Sequence, residues 1–99
     1  MTPEPPRAKE PLLISFGSSA SGACRQMDAI LDHVLQAGHN HGTFRRRAVD
    51  VDRSAALADR FGVGSVPTIL VIDRGAIAAR IEGRASVGRV RETLSPWLR

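Results

Sequence analysis

Cys24, the single cysteine of this 99-residue chain, is the residue best suited to do chemistry. It lies in Phe16-Gly17-Ser18-Ser19-Ala20-Ser21-Gly22-Ala23-Cys24-Arg25-Gln26-Met27, where a short apolar run gives way to a helical pattern. A thiol there can form a mixed disulfide with another molecule, but one cysteine cannot close a disulfide within the chain. At ~100° per residue Cys24 falls within about 60° of Met27 and close to Leu31, on the apolar stripe of the helix. Two readings stay open: a small buried hydrophobe, or a shielded thiol that exchanges with disulfides. Ser21 stands three residues earlier, at the expected helix start. Serine is a favoured N-cap, and its hydroxyl becomes a nucleophile at neutral pH when a base adjoins it. No histidine occurs in the segment, so Ser21 reads as a cap before it reads as a nucleophile.

Other chemistries are less well supported. His33, His39 and His41 invite a metal reading, but a closed zinc site needs four placed ligands and Cys24 lies two helical turns or more from the loop histidines. Gly62, Gly64 and Gly75 are turn glycines without the Lys-Ser or Lys-Thr pair of a phosphate loop. Neither a metal nor a cofactor is expected. The net charge is +4, Lys9 is the sole lysine, and Arg45-Arg46-Arg47 is the one basic cluster. With three Phe and one Trp there is little to stack bases on, so the run reads as a solvated loop or strand end, and nucleic-acid binding is disfavoured.

The elements that must hold Cys24 follow from periodicity. Residues 2–11 carry four prolines and no hydrophobic period, which predicts an irregular tail over 1–11 and one domain over 12–99. A chain of this length buries roughly 60 to 65% of its unfolded surface, enough for one core. Leu12-Leu13-Ile14-Ser15-Phe16 predicts a strand covered on both faces. A helix follows from Ser21 to about Ala37, stopped by Gly38. A second strand is expected over about Arg46–Val51, then a short helix capped by Asp52 or Ser54 and running to Phe61. Thr68-Ile69-Leu70-Val71-Ile72 and Ala76–Glu82 flank Asp73-Arg74-Gly75, the signature of a hairpin. Ser86 caps a last helix presenting Val87, Val90, Leu94 and Trp97 or Leu98. The order βαβαββα, with a parallel right-handed crossover and a terminal hairpin, predicts an α/β fold: a four-stranded mixed sheet with helices on both faces. No apolar run reaches the ~20 residues of a membrane span, and Met1–Glu10 lack an apolar signal core, so a cytoplasmic protein is expected.

The Cys24 segment resembles the active-site segment of thioredoxins, with Ser-Gly-Ala-Cys where that family has Cys-Gly-Pro-Cys. Phe61-Gly62-Val63-Gly64-Ser65-Val66-Pro67-Thr68 resembles the family's loop to an obligatory cis-proline. The resemblance covers Leu12 to Arg99 and implies a minimal thioredoxin-like fold without the family's first strand and helix. It puts Ser21 on the attacking cysteine, Cys24 on the resolving one, Ser15 on the buried acid and Ala20 on the tryptophan before the first cysteine. It further implies that Ala20, Gly22, Ala23, Val66 and Pro67 border the partner surface, where the Val66 backbone pairs with an extended peptide or glutathione. The expected function is thus a divergent thioredoxin-like protein capable at most of weak monothiol exchange with a protein or glutathione partner, in cell redox homeostasis. The alternative is a redox-inactive peptide-binding or regulatory module using the Pro67 loop, since backbone pairing needs no thiol.

Release of a mixed disulfide ordinarily uses a second thiol. The unmodified chain is therefore expected to show negligible insulin reduction in a turbidity assay. Ser21→Cys should permit an internal disulfide yet give weak turnover, because Ser15 and Ala20 remain. Turnover like that of an ordinary thioredoxin in the unmodified chain would contradict this.

Overall fold

The computed structural model describes residues 10–40 and 42–98; most of the expected Pro-rich tail, and His41, lie outside the described residues. The elements are β1 (Leu12–Gly17), α1 (Gly22–Gln36), β2 (Arg45–Asp50), α2 (Ala55–Arg60), β3 (Thr68–Asp73), β4 (Ala76–Glu82) and α3 (Val87–Leu94). They build one sheet in the order β2-β1-β3-β4. β2 runs parallel to β1, whereas β3 is antiparallel to both β1 and β4. The β3–β4 hairpin turns through Arg74 (φ 55°) and Gly75 (φ 80°), the positive values that a twist-matched two-residue loop requires.

Alternation along β1 sorts the layers. Leu13 points to the side of α1 and α3, where it meets Met27, Leu31, Leu35, Val90 and Leu94 together with Ile69, Val71 and Ile81 of the hairpin. Ile14 and Phe16 point the other way, to Ala58 of α2 and Leu70 of β3. Helices thus cover both faces. Leu31, Leu35 and Leu94 are fully buried, each contributing about 1.5–3 kcal/mol of apolar burial. All the aromatic side chains serve these layers: the Phe16 and Phe61 rings sit 5.9 Å apart on one side, those of Phe44 and Trp97 6.1 Å apart on the other.

Two local expectations are sharpened and one, the length of the last helix, is corrected. The arginine cluster is the first half of β2, its side chains exposed, with Arg46 bonded to Asp32 of α1 at 2.9 Å. Ser54 takes the cap position of α2 without a side-chain cap bond. Helix α3 stops at Leu94: both the N–H and the hydroxyl of Ser95 donate to the Glu92 carbonyl, and Pro96 has no N–H to carry the ladder on. Trp97 and Leu98 reach the core from the turn beyond the helix, and the Trp97 indole N–H donates to Asp73 at 3.1 Å.

Candidate functional site

Helix α1 begins at the carboxyl end of β1, the buried strand beside β2. Ser21 is its N-cap, with extended backbone (φ −104°, ψ 120°) and a hydroxyl that accepts the Cys24 N–H at 3.2 Å. The oxygen expected to cap the helix is thereby engaged with the backbone of the thiol residue itself. Cys24 is a free thiol, 6% exposed. Its Sγ accepts a hydrogen bond from the Ser18 N–H at 3.4 Å, a donor that favours the charged form of a sulfur when one develops. It also lies against β1: a Cβ placed on Gly17 would come within 3.2 Å of the Cys24 Cβ and 3.3 Å of its Sγ.

Beside the thiol opens a cleft of about 250 Å³ bordered by Ser15, Gly17, Cys24, Asp28, Ala48 and Pro67. Its cause is sequence. Ser15 and Ala48 are register partners on β1 and β2. On the same face as Leu13 and Gly17, these two small side chains leave room under the first turns of α1. The rim is fixed by polar bonds: the Ser18 hydroxyl donates to Asp52 at 2.6 Å, the Asp52 N–H donates to Asp50 at 2.9 Å, and Arg25 donates to the Ser19 carbonyl at 3.2 Å. Asp28 has its carboxyl raised above the ordinary value, chiefly by burial; Arg46 opposes that shift and Asp32 adds to it.

The Val66–Pro67 peptide bond is cis, and Pro67 is buried at the cleft wall. The loop before it is tied at several points. Arg80 donates to the Phe61 and Gly62 carbonyls, the Thr68 hydroxyl to the Ser65 carbonyl at 2.7 Å, and the Gly83 N–H to the Pro67 carbonyl at 2.8 Å. Among the described residues, neither the N–H nor the carbonyl of Val66 is hydrogen bonded, while its side chain packs against the α2 side of the core.

Of the residues singled out from sequence, Cys24 and Pro67 meet at this cleft. Ser21 caps from behind the thiol. Ala20 is exposed and donates its N–H to the Ser18 hydroxyl at 3.3 Å; Gly22 is exposed. Ala23 instead borders a second depression of about 230 Å³ with Gln26, Ile30 and Arg84. Among the described residues no group of three or more His, Cys, Asp or Glu could hold a metal ion, and no helix is long and apolar enough to cross a membrane. Sequence reasoning did not single out Ser18, Asp28 or Arg80, and read Asp52 only as a helix cap. Asp28 had a signal, being four residues after Cys24 on one helix face; the others act across 34, 6 and 18 or 19 residues.

Sheet order, capped cysteine and proline loop together define a single-cysteine α/β domain of the thioredoxin-like fold. The thioredoxin family model matches residues 6–96, and the chain belongs to the thioredoxin family. It is 29% identical over 91 residues to the thioredoxin of Mycolicibacterium smegmatis, spanning 92% of this chain and 81% of that one. It is also 29% identical over 77 residues to the thioredoxin of Streptomyces clavuligerus, spanning 78% and 69%. Among solved structures, mitochondrial thioredoxin 3 of Saccharomyces cerevisiae in its oxidized form matches with a TM-score of 0.75 and 25% identity, over 89% of this chain and 79% of that one.

Two predictions follow from this geometry. Ser21→Ala removes a cap oxygen and should lower stability to urea by about 1 kcal/mol, while leaving Cys24 alkylation in the folded protein intact; loss of alkylation would restore a chemical role to the hydroxyl. The raised carboxyl of Asp28 means that the native state holds its proton more tightly than the unfolded chain. This group's contribution to stability therefore falls as pH climbs through the carboxylate range. Asp28→Asn should raise the urea midpoint at pH 7 and change it little at pH 3, where the carboxyl is protonated in both states. An equal shift at both pH values would contradict the desolvation account.

Proposed function

We propose that this protein is a divergent thioredoxin that uses Cys24 as a single thiol to form mixed disulfides with a protein or glutathione partner, in cell redox homeostasis in the cytoplasm. The observation that carries the reading is the placement of Sγ: it lies at an open cleft, takes a hydrogen bond from the Ser18 N–H and stands across from Pro67. A partner sulfur entering that cleft meets the thiol without unfolding the helix, and membership of a thiol–disulfide family supports the chemistry. The exchanging unit is taken to be the domain over residues 12–99.

Ser21 is read as the cap that orders the first turn. Ala20, Gly22 and Ala23 supply the low-profile surface over which a partner chain passes. The unbonded Val66 backbone next to Pro67 favours a second reading, in which an extended peptide pairs with the loop and the thiol stays unused.

Reaction of the reduced chain with glutathione disulfide, followed by intact mass, separates the two. Mixed-disulfide formation expected of the folded protein adds one glutathionyl group and disappears in Cys24→Ser. If the thiol reacts with glutathione disulfide only after denaturation, the redox reading fails and the peptide-binding module stands.

A further inference from the structure

We infer that the open edge of β2 is a docking site for an extended acidic segment of a partner protein. β2 is an end strand, bonded on one side to β1 and on the other to no strand among the described residues. Its backbone shows which groups face out. The Arg45 N–H donates to the Pro11 carbonyl at 2.9 Å, and the Val51 N–H to the Gly17 carbonyl at 2.9 Å. Successive residues of a strand turn their N–H and carbonyl groups to opposite sides, so residues 45, 47, 49 and 51 address β1. The N–H and carbonyl of Arg46 and Ala48, and the N–H of Asp50, point away from it. The Asp50 carbonyl accepts the Arg53 and Ser54 N–H groups and ends the open run. Such a row of unpaired backbone groups is what an added strand pairs with.

The side chains choose the occupant. Arg45, Arg46, Arg47 and Ala48 are all exposed. Arg46, the register partner of Leu13, lies on the α1 face and is held by Asp32 at 2.9 Å. Arg45 and Arg47 pair in register with Leu12 and Ile14 and stand on the other face, where Val49 follows them and packs against the core beside α2. Neither of these two arginines makes a side-chain hydrogen bond or ion pair among the described residues. Two guanidinium groups, on residues about 6.6 Å apart along the strand, thus face solvent beside open backbone.

A strand laid on this edge puts every second side chain on that face. The matching segment is therefore acidic at i and i+2, against Arg47 and Arg45, and apolar at the next such position, against Val49. Two nearer occupants fit less well. A second copy of this chain would bring another strand with three arginines and one aspartate, like charge against like. Residues 1–9 of the chain itself include Pro3, Pro5 and Pro6, which have no N–H to give, and set Arg7 and Lys9 against Glu4. The inference does not rest on the thiol, because nothing in the edge pairing uses Cys24.

The test uses the full chain and a capped, fluorescein-labelled peptide, Thr-Glu-Thr-Glu-Thr-Val-Thr, with its reverse because an added strand can run either way. One of the two should bind saturably by anisotropy, more weakly at about 500 mM salt than at about 50 mM. It should also slow amide exchange of Arg46 and Ala48, read by NMR. The double variant Arg45→Ser, Arg47→Ser should bind roughly 2- to 30-fold more weakly, the range for two opposite-charge cross-strand pairs. Its fold is checked by circular dichroism. Peptides N-methylated on the Thr set or on the Glu and Val set separate strand pairing from plain attraction: one set should abolish binding and the other should keep it. Absence of saturable binding by either peptide overturns the proposal, as does equal binding by both methylated forms. An oligothymidylate that binds as tightly, with the same loss in the double variant, reassigns the arginines to a general anion patch and also overturns it. A dimer in sedimentation that protects the Arg46 and Ala48 amides gives the edge to a second copy and contradicts it too. Glutathionylation of Cys24 is read separately, so failure here leaves the single-thiol reading in place.

Discussion

The packing of Cys24 on the backbone of Gly17 sets the rest of the site. A Cβ at residue 17 would come within 3.2 Å of the Cys24 Cβ and 3.3 Å of its Sγ, so the thiol rests close against the end of β1, and the first turn of α1 is held at a fixed height above the sheet. At that height the Ser18 N–H reaches Sγ and the Ser21 hydroxyl reaches the Cys24 N–H. Two rungs down, Ser15 and Ala48 are too small to fill the gap beneath the helix. The cleft is what remains. A bulkier pair at those positions would close it, and a side chain at residue 17 would push the thiol away from its donor.

The thiol is buried yet borders an open cleft, so access to it is set by the cleft walls. The Ser18 N–H is the donor that meets charge developing on the sulfur. Asp28, at the rim of the cleft, is disfavoured in its charged form, chiefly by burial. The Pro67 loop contributes shape. Arg80 and Thr68 hold it by its carbonyls, so the wall facing the thiol is set by bonds made well away from it.

Much of this was legible in the residues themselves. The apolar runs of β1 and β3, the serine caps of α1 and α3 and the Asp-Arg-Gly turn each follow from local rules, and so the element order and sheet emerge without tertiary information. Cys24 on the stripe of Met27 and Leu31 was likewise readable from helical phase. The end of α3 was misplaced because apolar Trp97 and Leu98 continue the helical spacing, although they dock from a turn; hydrophobic phase reports burial, and Pro96 with Ser95 decides the backbone. Asp52 read as a cap candidate but serves Ser18, a partner 34 residues away that no local rule supplies. The cleft depends on the pairing of Ser15 with Ala48, a matter of strand register between two segments.

The central claim is that Cys24 exchanges with a partner lying along the Pro67 loop. It is tested most directly by joining the isotopically labelled chain through Cys24 to a cysteine-containing peptide and recording amide NMR shifts, and hydrogen exchange at Val66, against the free protein. The account predicts a stable mixed disulfide, shift changes over residues 18–28 and 64–68, and slowed exchange of the Val66 N–H. A disulfide that forms only on unfolding, or one whose shift changes leave residues 64–68 untouched, would contradict it.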